Sequence, residues 1–132
     1  MTEDVDAARH HEKMAKKKAA RDKIMAGKTI ERGLLIVHTG KGKGKSTAAF
    51  GMVFRHVGHG LRSGVIQFVK GSWGTGERTV LEKFPELVTI KAMGEGFTWE
   101  TQDINRDIAH ARAGWEEAKR MIADPSYKMV ML

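Results

Sequence analysis

The alternation of glycine and lysine at residues 40–45 constrains the fold of this chain more than any other feature. The stretch "LLIVHTGKGKGKSTAAFG" begins with a continuous apolar run, Leu34–His38, which is typical of a strand buried on both faces. It continues into small and apolar residues that predict a helix over residues 46–58. A glycine-rich loop between such a strand and a helix lets successive backbone N–H groups converge on an anion. The glycine–lysine loop, residues 39–45, therefore predicts a phosphate-binding site.

The residue types in this loop predict the charge of what it holds. Lys45 is expected to reach the outer phosphates and the Ser46 hydroxyl to coordinate Mg²⁺, while the following helix turns its positive N-terminal end to the same anion. The loop is a variant of the G-x-x-x-x-G-K-[ST] spacing, because Thr39 stands where the first glycine would be. Two further lysines, Lys41 and Lys43, suit a triphosphate. They suit even better a reaction in which the whole triphosphate leaves.

Strand and helix patterns alternate over the rest of the chain. Apolar runs predict further strands at residues 64–70, 87–93 and 128–132, and intervening patterns predict helices at residues 79–83 and 101–123. The alternation predicts an α/β fold with a parallel sheet and helices on both faces, and the variant phosphate loop makes it P-loop NTPase-like. Ligands bind at the carboxyl ends of such strands, so the loops after Val37, Lys70 and Met93 are expected to converge. The apolar positions expected to face the sheet are Ala48, Ala49, Met52, Val53 and Val57 in the first helix and Ile104, Ile108, Ala111, Trp115, Ala118 and Ile122 in the last.

Charge and composition separate a focused anion site from a broad nucleic-acid surface. The net charge of +7 divides into +3 for residues 1–33 and +4 for residues 34–132, and three lysines of the loop account for most of the latter. The 132 residues suit one domain, residues 33–132, preceded by a basic arm, residues 1–32, that is partly helical or disordered. The absence of cysteine excludes disulfides and a thiol nucleophile. A polar N-terminus and the lack of a long apolar run predict a soluble, cytoplasmic protein with no membrane or nucleic-acid partner.

Several segments together resemble the ATP:corrinoid adenosyltransferases of cobalamin synthesis. These segments are "TGKGKGKSTAAFG", "RHVGHG", "VIQFVKG", "GER" and "GFTWETQ", in this order. The resemblance implies transfer of the 5′-deoxyadenosyl group of ATP to cobalt(I) of a corrinoid, with release of triphosphate. It implies that Phe97 and Trp99 pack under the corrin ring and act with Lys45 in catalysis. The ATP-binding residues that it implies are Thr39, Gly40, Lys41, Gly42, Lys43, Gly44, Lys45, Ser46, Thr47 and Arg55.

The resemblance also implies partners and leaves alternatives open. It implies Mg²⁺ with ATP, cob(I)alamin or its precursor as the second substrate, a flavin or flavoprotein reductant, and a homodimer in which the N-terminal arm caps the corrinoid. Members of the family continue past the strand "KMVML" with an acidic pair and a further α/β segment, so a C-terminally truncated member is expected. The alternatives are a non-catalytic ATP- or corrinoid-binding fragment, an ordinary P-loop ATPase or kinase, and nucleic-acid binding through the basic arm.

Overall fold

The computed structural model describes residues 2–69, 74–94 and 103–132, with side chains described from residue 4 onward. These residues form two compact units, Met1–Val37 and His38–Leu132. The predicted boundary between arm and domain lies at residues 32 and 33, five residues before the division between the units. No helix in the described ranges combines the length and the apolar character that a membrane span needs.

The N-terminal unit is built on one helix, α1 (Thr2–Ala26), whose described side chains are all exposed. A partly helical or disordered arm was predicted for residues 1–32, and α1 is its helical part. Ion pairs one turn apart join Glu12 to Lys16 at 2.7 Å and Lys18 to Asp22 at 3.1 Å. Each such pair contributes about 0.3–0.5 kcal/mol, so α1 is stabilised by local interactions.

The strand predicted at Leu34–His38 is wrong. These residues adopt no regular secondary structure, and the apolar side chains of Leu34–Val37 are 61% to 92% exposed. An apolar run becomes a strand only where a neighbouring strand supplies its backbone hydrogen bonds. In the described sheet, the central strand takes both of its neighbours from later parts of the chain. Apolar composition alone therefore misassigned this run.

The second unit contains a three-stranded parallel sheet made of β1 (Ser63–Gln67), β2 (Val88–Ala92) and β3 (Met129–Met131). The strand order is β2-β1-β3, with β1 in the centre. In register, Val65 of β1 lies opposite Ile90 of β2 and Met131 of β3. The three later strands predicted from the sequence are thus confirmed with narrower bounds, and so is their parallel direction.

Helices α2 (Lys45–Gly58), α3 (Gly76–Leu81) and α4 (Ile104–Ala123) complete this unit. Alternate side chains of β1 point to opposite faces and feed two separate cores. Val65 packs with residues of α2, α3 and β2, whereas Ile66 packs with residues of α4. The first core contains Phe50, Val53, Val65, Leu81 and Val88, and the second contains Ile66, Ala118 and Met121. The α/β class with helices packed against a parallel sheet is therefore confirmed.

The predicted buried faces of the two longer helices are correct only in part. In α2, Val53 is buried as expected, but Met52 is exposed and Phe50 is buried instead. In α4, Ala118 is buried together with Gly114 and Met121. The remaining predicted positions are exposed, and they are Ile104, Ile108, Ala111, Trp115 and Ile122. The apolar face of α4 is wider than the part of it that packs against the described strands. Small residues on one edge of this face make the close contact with the sheet.

A polar cluster ties the three strands together at their amino ends. The Arg62 guanidinium donates to Ser126 Oγ at 2.7 Å and to Tyr127 Oη at 3.0 Å, and lies 4.2 Å from the centre of the Tyr127 ring. The Tyr127 hydroxyl in turn donates to Thr89 Oγ1 at 2.9 Å. These residues lie at or beside the amino ends of β1, β2 and β3. The cluster therefore fixes the register of the strands at the edge of the sheet that is opposite the predicted phosphate-binding site.

An ion-pair network links the edge strand β2 to α4, and it predicts an acid-sensitive contribution to stability. The Glu117 carboxylate accepts hydrogen bonds from Lys91 of β2 and from Arg120, which together hold the pKa of that carboxyl below its ordinary value. A lowered carboxyl pKa stabilises the fold above the unfolded value and loses this effect as pH falls through the folded value. We therefore expect Glu117→Gln to lower the free energy of unfolding at pH 7, and the difference to shrink progressively as pH falls below about 4.

Urea denaturation across pH 3–8 measures this effect, and Glu116→Gln is the matched control. Glu116 contacts Lys119 of the same helix at 2.9 Å and is more exposed than Glu117. We expect its replacement to change stability by less than about 0.5 kcal/mol at any pH. Equal effects of the two substitutions at pH 7 would show that Glu117 does not join β2 to α4.

The buried hydroxyl of Ser63 predicts a substitution that does not destabilise. Ser63 is fully buried at the start of β1, and within the described residues its Oγ has no hydrogen-bond partner. An unsatisfied buried hydroxyl costs about 1–3 kcal/mol. We expect Ser63→Ala to leave the free energy of unfolding unchanged or to raise it, as measured by urea denaturation. Tyr127→Phe is the control, because it removes a bonded hydroxyl and should cost about 1 kcal/mol. A loss above 1 kcal/mol for Ser63→Ala contradicts the prediction.

Candidate phosphate-binding site

The connections of the second unit carry the glycine–lysine loop towards the carboxyl ends of the strands. Only residues 59–62 separate the end of α2 from the start of β1, so α2 runs antiparallel to β1. Its 14 residues span about 21 Å, while the five residues of β1 span about 17 Å. The first turn of α2 and the loop before it consequently lie towards the edge where β1 and β2 end. Helix α4 also starts from that edge, since it follows β2 and precedes β3.

The backbone of the loop requires glycine at alternate positions. Gly40, Gly42 and Gly44 have φ angles of 129°, 116° and 92°, which lie in the left-handed region that residues with a Cβ rarely adopt. Among the described residues, no atom lies within 4 Å of a Cβ built at any of the three, so the requirement seen here is conformational and not steric. The "GKGKGK" alternation seen in the sequence therefore reflects the path of the main chain.

Lys45 closes the loop from inside. Its Nζ donates to the carbonyl oxygens of Gly40 at 2.7 Å and of Gly42 at 2.8 Å. It is half-buried, while Lys41 and Lys43 are exposed. The sequence predicted that Lys45 reaches for phosphate, but not that it also holds the loop through two main-chain oxygens. The structure thus separates one inward-facing ammonium from the two exposed ones.

The start of α2 offers main-chain donors to an anion. Gly44 occupies the N-cap position in a left-handed conformation and has no side chain with which to cap the helix. Its carbonyl accepts the first helical bond from Ala48 N at 2.9 Å, and the first turn contains no acidic residue. Amide groups at a helix start have no partner within the helix, and the macrodipole makes this end positive. Exposed Ser46 and Thr47 follow Lys45 in this first turn, as predicted.

Arg55 lies apart from the other predicted phosphate-binding residues. It is an exposed residue of the last turn of α2, ten residues after Lys45, so about 15 Å of helix separates them. Thr39, by contrast, directly precedes Gly40 in the exposed loop. The structure therefore groups residues 39–47 and does not bring Arg55 beside them.

The predicted corrinoid contacts Phe97 and Trp99 lie outside the described residues. The described chain on either side of them ends at Gly94, which follows β2, and resumes at Asp103. Asp103 caps α4, since its Oδ1 accepts from the backbone N–H groups of Asn105 at 3.1 Å and Arg106 at 3.2 Å. An aspartate immediately before an apolar periodic segment is a standard helix-start signal, and it was not used in predicting this helix.

For a metal ion, the described residues supply one hydroxyl ligand in the expected place. Ser46 is exposed in the first turn of α2 beside Lys45, which fits a cation shared with bound phosphate. The described ranges contain no group of three or more His, Asp or Glu side chains able to hold a metal by themselves. The donor set thus fits Mg²⁺ only in company with phosphate oxygens.

Comparison with known protein families covers nearly all of the chain. A family model described as "ATP:corrinoid adenosyltransferase BtuR/CobO/CobP" matches residues 31–132. A second model, "Cob(I)alamin adenosyltransferase N terminal", matches residues 1–25, which contain most of α1. The first match includes the whole glycine–lysine loop and every strand of the described sheet.

Curated relatives agree with these matches. The chain is 60% identical over 128 residues to a corrinoid adenosyltransferase of Sinorhizobium sp, and 54% identical over 124 residues to one of Pseudomonas aeruginosa. It is 49% identical over 124 residues to corrinoid adenosyltransferase CobA of Salmonella typhimurium. These alignments cover 94% to 96% of this chain but only 60% to 62% of the relatives. The chain thus spans about three fifths of their length, and it belongs to the ATP:corrinoid adenosyltransferase family.

Proposed function

We propose that this chain carries out the reaction implied by its family, transfer of the 5′-deoxyadenosyl group of ATP to cobalt(I) of a corrinoid. The observation that carries the proposal is the lysine-rich loop at the start of α2. It combines three left-handed glycines, one inward-facing lysine and two exposed lysines at the carboxyl edge of a parallel sheet. Such a loop suits a polyphosphate, and the family membership of the chain supports adenosyl transfer as the reaction that follows. On the same grounds we propose a P-loop NTPase-like fold with a variant loop.

The proposed reaction requires the protein to position the two substrates and to stabilise negative charge on the leaving triphosphate. The cobalt(I) electron pair attacks C5′ of ATP, so the cobalt–carbon bond forms as the C5′–O bond breaks. Inorganic triphosphate leaves with the electron pair of the broken bond. Cobalt(I) is itself a strong nucleophile, so the chain needs no general base for this step. Holding C5′ in line with cobalt and stabilising the charge that develops on the triphosphate are the remaining tasks.

All three lysines of the loop would contribute to stabilising the charge on the triphosphate. To contact phosphate, the Lys45 ammonium exchanges the Gly40 and Gly42 carbonyls for phosphate oxygens, which are charged and therefore stronger acceptors. Lys41 and Lys43 are exposed on the same loop and add two cations within reach of the anion. A phosphoryl donor keeps part of its charge on the nucleotide, whereas a departing triphosphate carries all of it. The extra lysines therefore match a triphosphate leaving group.

The metal and the corrinoid are assigned to residues by the family resemblance. Mg²⁺ would be held by Ser46 together with phosphate oxygens, and it would offset charge on the triphosphate. Phe97 and Trp99 are proposed to pack under the corrin ring, where apolar bulk would exclude a lower axial ligand of cobalt. Arg55 is proposed as a phosphate contact only where the anion extends beyond the loop. The homodimer, the flavin or flavoprotein reductant and the cytoplasmic location also stay proposals.

The products distinguish the proposed reaction from that of an ordinary ATPase or kinase. Incubation with MgATP and chemically reduced cob(I)alamin should yield a light-sensitive cobalt–carbon product and one equivalent of inorganic triphosphate, measured by absorbance and by ion chromatography. ADP or orthophosphate as the main product would contradict the proposal and support phosphoryl transfer. Nucleotide binding without any product would identify a non-catalytic binding fragment. Lys45→Ala is the control, and we expect it to lower the rate by about 100-fold or more.

The two exposed lysines predict a selective loss of triphosphate binding. Because a hydrogen bond to a charged group is worth about 1.5–3 kcal/mol, we expect Lys41→Ala with Lys43→Ala to weaken inorganic triphosphate binding at least tenfold. Adenosine binding should change less than twofold. Isothermal titration calorimetry measures both affinities. Lys83→Ala is the matched control, because Lys83 is an exposed lysine between α3 and the amino end of β2. Equal losses for triphosphate and adenosine would contradict the assigned role.

A further inference from the structure

Gly94, two residues after β2, lies close to the main chain that leaves β1. A Cβ built on Gly94 would lie 2.6 Å from the carbonyl oxygens of both Phe68 and Val69, and 2.8 Å from the carbonyl carbon of Val69. Separations below 3.0 Å essentially never occur for a real Cβ, so a side chain here forces atoms to move. All three obstructing atoms belong to the backbone. A change of side-chain rotamer cannot relieve the overlap.

The close approach continues the pairing of the two strands beyond their regular ends. Met93 N donates to Gln67 O at 2.8 Å, one residue after β2 ends. Gly94 then lies beside Phe68 and Val69, the two residues that follow the end of β1.

Two other glycines in the same unit meet obstacles of a different kind. A Cβ on Gly64 would lie 2.6 Å from the Met121 sulfur, and one on Gly114 would lie 2.9 Å from the Phe68 ring. These obstacles are side chains, which can adopt other rotamers at the cost of looser packing. At Gly94, in contrast, the main chain itself must shift. Gly94 therefore determines the path of the backbone, whereas Gly64 and Gly114 only allow side chains to pack closely.

We propose that Gly94 is a positioning residue, which sets the spacing between the segments that leave β1 and β2. Its consequence for catalysis rests on the proposed function, because the segment after Gly94 carries Phe97 and Trp99 in the sequence. Restoring an ordinary contact after Gly94→Ala requires a displacement of roughly 1 Å, and a misplacement of that size can cost about 100-fold in rate. Gly94 touches neither substrate in this proposal and acts through the segments that it holds.

Fluorine NMR of the full chain labelled with 5-fluorotryptophan tests the spacing directly. The chain has three tryptophans: Trp73 follows β1, Trp99 follows β2, and Trp115 lies on α4. For Gly94→Ala we expect a folded protein in which the resonances of Trp73 and Trp99 move and that of Trp115 does not. Inserting one glycine after Gly94 should move the Trp99 resonance too, because it releases the segment while leaving the Gly94 contact intact.

Gly64→Ala is the matched control for loss of stability alone. It lies in β1 near the amino end of the sheet and should lower the melting temperature without moving the Trp73 or Trp99 resonance. The proposal fails if Gly94→Ala leaves all three resonances in place, or moves all three equally. It also fails if Gly94→Ala prevents folding while the glycine insertion leaves Trp99 unmoved, because Gly94 would then be needed only for stability.

Kinetics with MgATP and cob(I)alamin tests the catalytic consequence. We expect Gly94→Ala to lower kcat/KM for the corrinoid at least tenfold while changing the KM for ATP less than threefold, and Gly64→Ala to change neither by as much. Equal effects of Gly94→Ala on both substrates would contradict a role at the corrinoid segment. If the unsubstituted chain forms no product, the proposed function fails for this chain, and the fluorine spectra alone decide whether Gly94 sets the spacing.

Discussion

The pairing of β1 with strands on both sides is the interaction on which the rest of the described domain depends. β1 is the central strand, and its consecutive residues Val65 and Ile66 are fully buried in opposite cores. Burying each side chain contributes about 1.5–3 kcal/mol, and the two together attach helices to both faces of the sheet. Because α2 leads into the amino end of β1 through a short connection, the same strand also determines where the loop before α2 must lie. Loss of this pairing would remove the cores and the site together.

Local features of the site could be predicted because they depend on residues close in sequence. The glycines of the loop signal a main-chain path that other residues rarely adopt, and the left-handed φ angles of Gly40, Gly42 and Gly44 agree with that signal. The helix after the loop follows from the same stretch, and the three later strands follow from apolar runs of the right length. The inward hydrogen bonds of Lys45 depend on the exact fold of the loop, so the residue types could not reveal them.

Features that depend on distant neighbours were not predictable from the pattern. The run Leu34–Val37 is as apolar as the strands, but a strand also needs a partner, and composition carries no information about partners. The periodic apolar residues of α4 were correctly recognised as amphipathic. Which part of their wide arc meets the sheet depends on close contacts made by Gly114 and Ala118, whose small side chains carry little weight in a hydrophobic pattern. The contact of Gly94 is of the same kind, because it joins residues 25 positions apart.

The uncapped start of α2 would make a phosphate group bound in the loop a structural part of the helix. Gly44 offers no side-chain oxygen to the first amide groups of α2, and no acidic residue of the first turn offsets their positive end. A phosphate group in the loop would accept from these amides, as a serine or aspartate N-cap does in other helices. Binding and helix order are then thermodynamically linked, so nucleotide should suppress fraying of the first turn of α2. By the same linkage, any change that frays this turn weakens nucleotide binding without touching a phosphate contact.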